Sequence, residues 1–591
     1  MLTARMRQRW EPISITSDDP SHDPTRPTLS TTESLLDRLL SLRGVIDAEA
    51  ADRFLRPRLT HLGDPAALPG CVAAADRLAA AVRDGQPIVI YGDYDVDGVT
   101  ATAILWHTLR RLGHVEVTSY VPHRLEEGYG LNAEAIRQFA PGSTPGNKPL
   151  VVTVDCGITA VEPAAVAKSL GIDLIITDHH EFDSGDLPEA VALVHPGLGD
   201  DSEPSPLCGA GVAFKLAWQT ARTVLGTDRL PAELQTLMCD LLSFAALGTV
   251  ADVVPLVGEN RVITTHGLSR IKHTPFEGLN ALIDAAELRG EKVDAVHVGF
   301  VLGPRLNACG RMGHARQAVK LLTDATPAEA AELADFLTKE NDRRRATERH
   351  IFDEANALVE ERNDADEDRR ALVVYGPDWH PGVVGIVASR LTETYHRPAV
   401  VLGRDPTTGL AKGSARSVEG VDLHAAISSC AHHCTTFGGH AMAAGLSLPP
   451  EAIDAFREEL IEAVNAVLPA EDLSPVVRYD AEVGLVECNV EVFGQLERLA
   501  PFGRSNPRPR LRLNGLRTAR PAQRMGNEGK HLSVSLRDEE GLAIRAVGFG
   551  LGDLADDLPG GVCVDVVATP KTNTWRGVTS PELHLSALRL V

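Results

Sequence analysis

The chain has 591 residues, of which 43% are hydrophobic and 24% are charged, and its formal net charge is −23. This length suits about three or four domains, and the composition is that of a globular chain rather than a disordered or fibrous one. We expect neither a membrane span nor a secretory signal, and the negative charge by itself argues against binding to nucleic acid.

The nine cysteines are scattered singly along the chain. An odd number without a repeated short spacing does not predict a disulfide framework, so we expect a reducing cytoplasmic location. The segment Cys430-Ala-His-His-Cys434 has a short spacing. A Cys-x₃-Cys pair without a second pair elsewhere favours core and surface residues over a zinc site.

In chain order, residues 1–34 are predicted to be a disordered lead-in, because Ser, Thr, Pro and Asp dominate positions 11–32. A helix follows, with Thr32 as a candidate cap and Gly44 at its end. Apolar runs then alternate with helical patterns. The predicted strands are 88–91, 150–154 and 172–176, and the predicted helices between them are 99–109 and 160–170. This alternation predicts a parallel α/β sheet.

Acidic residues and histidines follow these three predicted strands, at the edge where sites form in such sheets. They are Asp93, Asp95 and Asp97 after the first strand, Asp155 after the second, and Asp178, His179 and His180 after the third. A further carboxylate, Asp252, lies in an apolar segment, where a cation partner would offset the cost of burial.

The pattern Asp93-Tyr-Asp-Val-Asp97-Gly98 predicts a cation site, because in an extended segment its three carboxylates share one face and repel one another. Such oxygen-rich sites suit Mg²⁺ or Mn²⁺. An acidic surface turn is the alternative, whereas an EF-hand loop would need Glu where Ile104 stands. In Asp178-His-His180 one imidazole can bind a metal and the other the substrate, with Asp178 as the orienting group; a solvated histidine pair is the alternative.

The second half of the chain predicts a long connecting helix over 330–362 and then a second, smaller α/β pattern. The latter has predicted strands at 372–375 and 399–402 around a helix at 383–394, and short strands beyond about residue 470 predict a small β-barrel. The predicted domains after the lead-in are 35–325, 326–365, 366–468 and 469–591.

The order D-x-D-x-D-G, D, DHH, D resembles the DHH phosphoesterase superfamily. Further motifs, such as Gly413-Ser-Ala-Arg-Ser417 and Gly438-Gly-His440, are similar to the RecJ family of 5′→3′ exonucleases specific for single-stranded DNA. The similar segments are 90–100, 303–312, 379–389, 413–417, 438–445 and 500–509. Tyr91 departs from the pattern of relatives that have a metal-binding histidine there, and Ser505 stands where glycine is common.

The resemblance implies two divalent ions, Mn²⁺ or Mg²⁺, and a two-metal phosphodiester hydrolysis. The implied ligands are Asp95, Asp97, Asp155, His179 and Asp252, with Asp93 as a ligand or a neighbour of one. His180 would contact the scissile phosphate, oriented by Asp178. Backbone phosphates would bind to Arg305, Asn307 and Arg311, and the 5′-terminal phosphate to Ser414, Arg416, His440 and His380.

The resemblance also implies an OB-fold at the C-terminus, where residues 501–531 carry eight basic side chains against Glu528. A basic OB-fold suits single-stranded DNA and answers part of the net-charge objection. The implied role is DNA repair and recombination, as a monomer without a membrane, with a helicase and single-strand-binding protein as candidate partners.

Two alternatives stay open. One is another DHH phosphodiesterase, such as an oligoribonuclease, a cyclic-dinucleotide phosphodiesterase or a pyrophosphatase, against which the OB-like segment argues. The other is a non-catalytic DNA-binding scaffold, against which the complete set of carboxylates and histidines argues.

Overall fold

The computed structural model describes residues 8–13, 34–123, 127, 130–140, 148–183, 185–199, 206–312 and 314–591. These residues form two compact units. The first unit comprises Arg43–Asn341 and Leu496–Arg508, and the second comprises the remainder of the chain. Most of the predicted lead-in, with its candidate cap Thr32, lies outside the described residues.

The strands are numbered in chain order. They are β1 Arg9–Pro12, β2 Ile88–Gly92, β3 Val117–Tyr120, β4 Leu150–Val154, β5 Leu174–Thr177, β6 Ala192–Val194, β7 Leu372–Gly376, β8 Ala399–Arg404, β9 Ala411–Arg416, β10 Thr436–His440, β11 Ala443–Leu448, β12 Val476–Tyr479, β13 Ala481–Glu482, β14 Leu511–Thr518, β15 Gln523–Met525, β16 His531–Arg537, β17 Ala543–Gly548, β18 Cys563–Trp575 and β19 Val578–Leu590.

The helices alternate with these strands in the first unit and are fewer in the second. The α-helices are Leu35–Ser41, Ala48–Leu55, Cys71–Asp84, Val96–Arg111, Ala133–Gln138, Val161–Ser169, Gly209–Leu225, Ala232–Ala251, Gly258–Ile271, Glu277–Ala285, Ala295–His297, Gly303–Met312, Ala315–Leu322, Pro327–Glu361, Val384–Tyr395, Leu423–Ser429, Ile453–Asn465 and Val490–Leu496. A π-helical turn, Val298–Leu302, precedes the helix Gly303–Met312.

The first unit is built on a five-stranded sheet with the order β3-β2-β4-β5-β6. All neighbouring strands run parallel, which confirms the predicted parallel α/β sheet. Every residue of β2, β4 and β5 is buried, as expected for central strands covered on both faces. Their carboxyl ends therefore point to one edge of the sheet.

The helix Ala232–Ala251 differs from the expectation that the chain has no apolar run of membrane-spanning length. By length and composition alone this helix could cross a membrane. Most of it is instead buried in the first unit, where Leu241, Phe244 and Leu247 join the hydrophobic core. Its composition is therefore explained by packing, as is typical of a core helix.

The acidic motif is not extended throughout, and this corrects the sequence analysis. The helix predicted at 99–109 begins at Val96, and Asp95 is its N-cap, accepting a hydrogen bond from the backbone N–H of Gly98 (3.1 Å). Asp97 thus lies in the first helical turn instead of on one strand face with Asp93. A capping aspartate satisfies a helix-terminal N–H, which allows the helix to begin three residues before the predicted start at Val99.

The second unit contains a five-stranded sheet with the order β10-β11-β9-β8-β7. Only β7 and β8 pair in parallel; the other pairs are antiparallel. The helices Val384–Tyr395 and Ile453–Asn465 supply apolar side chains to the cores on this sheet. The predicted second α/β fold is confirmed.

The C-terminal strands form a partly closed ring with the order β13-β14-β18-β19-β17-β16-β15, and β14 also pairs with β16. This confirms the predicted OB-type barrel. The strand β1 pairs in parallel with β12, and Trp10 packs against Val477 and Tyr479. Residues 9–12 therefore form a strand, unlike the predicted disordered lead-in, because a segment far along the chain pairs with them and partly buries Trp10.

Candidate metal centre and substrate-binding residues

The carboxyl ends of three neighbouring strands bring the predicted acidic and histidine residues together. Asp93 follows β2, Asp155 follows β4, and Asp178-His-His180 follows β5. Asp252 joins them as the C-cap of the helix Ala232–Ala251. Adjacent parallel strands end at one edge of the sheet, so residues distant in sequence meet there.

The side chains converge on the imidazole of His179. Its Nε2 lies 3.1 Å from Asp155 Oδ1, 3.6 Å from Asp252 Oδ2 and 3.7 Å from Asp97 Oδ2. The ligand atoms form overlapping groups in which every atom lies within 4.8 Å of the others. These groups are Asp97, His179 and Asp252; Asp93, Asp95 and Asp155; and Asp155, His179 and His180.

The backbone and two glycines hold Asp97 and Asp155 in place. Asp97 accepts hydrogen bonds from the N–H groups of Gly209 (2.6 Å) and Ala210 (2.9 Å), at the start of the helix Gly209–Leu225. A Cβ on Gly209 would lie 2.6 Å from the Asp155 side chain, and a Cβ on Gly248 would lie 2.4 Å from Asp97 Oδ1. Sequence reasoning missed both glycines, because only the folded chain brings them against the aspartates.

The backbone is strained at the centre. Asp155 has φ of 63° and Val253, next to Asp252, has φ of 58°. A β-branched residue such as Val253 rarely adopts this left-handed conformation. Strain of this kind persists only where the surrounding structure fixes it, and it clusters at functional sites.

Asp178 orients His180. Its Oδ1 lies 2.7 Å from His180 Nδ1 and also accepts the backbone N–H of His179 (2.7 Å), while its Oδ2 accepts the N–H of Ile158 (2.9 Å). Although burial opposes the charge of His180, the hydrogen bond to Asp178 and the charge of that carboxylate raise the pKa of His180 to about 9. Asp178 thus fixes the orientation of the His180 ring and favours its cationic form.

Burial and mutual repulsion set the electrostatics of the carboxylates. Burial, then the charges of Asp97 and Asp95, raise the pKa of Asp155 well above its usual range and the pKa of Asp252 to about 8. Burial lowers the pKa of His179, which favours the neutral imidazole that binds metals. Several carboxylates crowded out of water need a cation to remain ionised together.

The donor set fits divalent metal ions. Asp155 Oδ1 and His179 Nε2 are buried and lie 3.1 Å apart, yet neither makes a hydrogen bond within the part of the chain that the structure describes. Buried polar atoms are otherwise nearly always paired, so these two atoms indicate a ligand. Carboxylate oxygens with one imidazole suit Mg²⁺ and Mn²⁺.

Comparisons with known proteins match this chain to families of DHH and RecJ proteins. Family models match for the DHH family N-terminal domain at residues 87–249, the DHHA1 domain at 368–466 and the RecJ OB domain at 479–587. The chain is 39% identical over 586 residues to the single-stranded-DNA-specific exonuclease RecJ of Bacillus subtilis, covering 99% of this chain and 71% of that protein. The chain belongs to the RecJ family.

Two solved RecJ-family structures resemble the whole fold. RecJ of Thermus thermophilus in complex with Mn²⁺ matches with a TM-score of 0.76 and 32% identity, covering 93% of this chain and 75% of that one. The same enzyme in complex with Mg²⁺ matches with a TM-score of 0.72 and 31% identity, covering 93% and 74%. The ions in those relatives are the two that the sequence analysis expects here.

The predicted substrate-binding residues Arg305, Asn307 and Arg311 lie in the first unit, on the helix Gly303–Met312. Asn307 Oδ1 accepts the backbone N–H of Val96 (3.0 Å) and so holds the acidic loop. Arg305 Nη1 donates to the carbonyl of Val301 (2.7 Å), and Arg311 is half-buried. Asn307 therefore supports the metal centre directly, in addition to any contact with substrate.

In the second unit, Ser414, Arg416 and His440 share one face of the sheet. Arg416 and His440 both lie directly opposite Ala443, and Ser414 lies opposite Gly445 in the next row. Arg416 Nη1 donates to Ser414 Oγ (2.6 Å). Because directly opposed residues of antiparallel strands point to the same side, this pattern brings a cation and two further polar groups together.

The start of the helix Val384–Tyr395 lies beside this face. A Cβ on Gly385 would lie 3.2 Å from Ser414 Oγ and 3.3 Å from Arg416 Nη2. Burial lowers the pKa of the Arg416 guanidinium, so a bound anion would offset the cost of its partial burial. His380, which accepts the N–H of Gly382 (3.1 Å), has a pKa lowered by burial and by the charge of Arg343.

The structure does not place the whole basic segment 501–531 in the OB-type barrel, as the sequence had predicted. Arg504 and Arg508 belong to the first unit and not to the barrel. Arg508 pairs with Asp294 (3.4 Å), Arg512 with Glu482 (3.1 Å), Arg524 with Asp556 (2.7 Å) and Lys530 with Glu528. Carboxylates outside the segment thus compensate three of its eight basic side chains, and Glu528, within the segment, compensates Lys530.

Arg504 lies instead at the edge of the metal centre. Its carbonyl accepts the N–H of Leu256 (2.9 Å), and its Nη1 donates to the carbonyl of Val253 (3.5 Å), next to Asp252. Its charge acts on the carboxylate of Asp252. No local motif marks this placement, because the segment returns to the first unit from far along the chain.

Proposed function

We propose that the chain is a metal-dependent exonuclease that degrades single-stranded DNA from its 5′ end. The convergence of five aspartates and His179 near the carboxyl ends of parallel strands carries this proposal. It is supported by membership in a family whose relatives are named single-stranded-DNA-specific exonucleases.

Two overlapping ligand groups would hold two divalent ions. Asp97, His179 and Asp252 form one group, Asp93 and Asp95 belong to the other, and Asp155 lies within reach of both. When bound, the ions supply an activated water and neutralise charge on the scissile phosphate. The buried carboxylates bind and orient the ions, and the apolar core behind them restricts water at the ligand side.

His180 would contact the scissile phosphate. Its side chain is 43% exposed, and Asp178 is bonded to Nδ1, which leaves Nε2 directed away from that bond. A cationic imidazole with a fixed ring orientation donates a hydrogen bond to a phosphate oxygen without moving. Asp178 holds the proton on Nδ1 and thereby fixes the donor.

The 5′-terminal phosphate would bind to Ser414, Arg416 and His440, near the helix that begins at Val384. A guanidinium, hydroxyl and imidazole on one sheet face suit a phosphate dianion. Arg305, Asn307 and Arg311 would serve the adjoining backbone phosphates, with His380 as a further member of the anion site.

The proposed division of labour follows the predicted domains. Residues 35–325 would carry hydrolysis, 366–468 would bind the 5′ end, 326–365 would connect these two, and 469–591 would bind the single strand. We expect a cytoplasmic monomer that acts in repair and recombination, together with a helicase and single-strand-binding protein.

The test uses a 5′-phosphorylated single strand labelled at its 3′ end, with Mn²⁺ or Mg²⁺. A ladder of shortening 3′-labelled products, with duplex spared and Asp155→Ala inactive, is expected. Asp186→Ala, which changes an exposed carboxylate beyond the DHH motif, should be as active as the wild type. No degradation with either metal would instead indicate a non-catalytic scaffold. Cleavage confined to short oligomers would indicate an oligoribonuclease.

A further inference from the structure

A second cluster of metal-binding side chains lies in the second unit, outside the sheet face described above. It consists of His432 and His433, on the short 3₁₀ turn Ala431–His433, and Glu459, on the helix Ile453–Asn465. We propose that these three side chains form a site for a borderline transition-metal ion such as Zn²⁺. The proposal is independent of the exonuclease function.

Both imidazoles are turned towards the same oxygen. His432 Nε2 lies 3.2 Å and His433 Nε2 2.8 Å from Glu459 Oε2, and the ring centroids are 4.1 Å apart. Metal–ligand bonds of about 2.0–2.1 Å in a tetrahedral site separate neighbouring donor atoms by roughly 3.3 Å. Both imidazole nitrogens therefore lie near this distance from Glu459 Oε2, and all three donor atoms lie within 4.8 Å of one another.

An ordinary surface ion pair looks different in the same unit. His350 and Glu354 are one turn apart on a single helix, with 3.5 Å between their charged atoms and 72% and 49% of their side chains exposed. Glu459, by contrast, receives two adjacent histidines from another element, and His433 is only 18% exposed. Neighbouring side chains rarely aim at one atom without a reason, because each gives up rotamer freedom to do so.

The two nearby cysteines are not the ligands. Cys430 is fully buried and its Sγ donates to the carbonyl of Ala426 (3.5 Å). Among the described residues, the ligand atoms that converge within 4.8 Å of one another here belong to His432, His433 and Glu459, and Cys434 is not among them. The site is thus two nitrogens and one oxygen, a set that with a water completes a four-coordinate zinc site. The sequence disfavoured a zinc site built on these cysteines, and the fold supplies Glu459 instead.

The site would stabilise the strand that carries His440. The turn Ala431–His433 is followed two residues later by β10, an edge strand that pairs with β11 and whose residues are all exposed. An ion shared with Glu459 would tie the beginning of β10 to the helix Ile453–Asn465. The expected consequence is structural, so catalysis with Mg²⁺ does not require it.

The experiment measures zinc bound to the full chain. Protein in saturating Mg²⁺ and a reducing agent receives excess ZnCl₂, is freed of excess metal by gel filtration and is analysed by mass spectrometry of the metal. Zinc at the catalytic centre is common to all variants. We expect His432→Ala, His433→Ala and Glu459→Gln each to hold one equivalent less than the wild type, and His350→Ala to hold the same amount.

A second measurement separates site loss from misfolding. Co²⁺ replaces zinc and gives a visible absorption band in a tetrahedral site, so the wild-type spectrum should contain a band that Glu459→Gln lacks. Exonuclease activity with Mg²⁺ should be the same in all four variants. Equal zinc content and equal Co²⁺ spectra in active wild type and Glu459→Gln would overturn the proposal and leave the exonuclease function untouched.

Discussion

Gly248 lies in the helix Ala232–Ala251 with its Cα directed at Asp97. A Cβ there would lie 2.4 Å from Asp97 Oδ1, 2.6 Å from Ala210 Cβ and 2.8 Å from Thr100 Oγ1. Ordinary contacts begin near 3.4 Å, so Gly248→Ala requires a shift of 3.4 − 2.4 = 1.0 Å at the carboxylate. Asp97 cannot make this shift and keep both hydrogen bonds to Gly209 and Ala210.

We expect two effects of Gly248→Ala. Overpacking of a filled site should lower the free energy of unfolding by about 1–3 kcal/mol. Displacing Asp97, a proposed metal ligand, by about 1 Å should lower kcat/KM by about 100-fold, because reacting groups tolerate little misplacement. The assay is degradation of a 3′-labelled single strand across a Mn²⁺ titration, alongside thermal unfolding of the same protein.

The control is Gly494→Ala. Gly494 lies on the exposed face of the helix Val490–Leu496, and a Cβ there would meet no described atom within 4 Å. This substitution should raise stability by about 0.5–1 kcal/mol and leave activity alone, since alanine is the better helix former. A folded Gly248→Ala protein with wild-type kcat/KM and Mn²⁺ dependence would refute the close-packing argument.

Three further substitutions test other contacts. Asp178→Asn keeps a hydrogen-bond acceptor beside His180 but removes the negative charge, and it should lower kcat about 10- to 100-fold. An unchanged kcat would mean that Asp178 does not position His180 for catalysis. Arg416→Ala should reduce the preference for a 5′-phosphorylated over a 5′-hydroxyl strand about 10- to 100-fold, because a hydrogen bond to a charged group contributes about 1.5–3 kcal/mol. If the mutant and the wild type show the same preference, the 5′-terminal phosphate binds elsewhere. If Arg504 contacts a DNA phosphate, Arg504→Gln should raise KM and reduce the slope of log affinity against log salt concentration by about 0.7. Arg504→Lys keeps the charge and should restore the slope. An unchanged slope in Arg504→Gln would mean that this side chain contacts no phosphate.

The sequence by itself determined the three central strands of the first unit's sheet and most of the candidate metal centre, but it did not predict the edge strands β3 and β6. Continuous apolar runs predicted β2, β4 and β5, and parallel strands must end at one edge, so Asp93, Asp155 and His179 could be placed together. A short continuous run of apolar residues predicts each strand because a central strand of a parallel sheet is buried on both faces. It could not show that Asp95 caps a helix and that Asp97 lies in its first turn.

Only the tertiary structure decided the features that depend on contacts between distant segments. Gly209 and Gly248 fit closely around the aspartates, and Arg504 returns from the C-terminal half to the edge of the centre. Carboxylates elsewhere compensate the basic segment, and Glu459 meets two histidines that the sequence showed beside cysteines. Periodicity along the chain cannot encode such pairings, because they arise from packing and electrostatics between elements that only folding brings into contact.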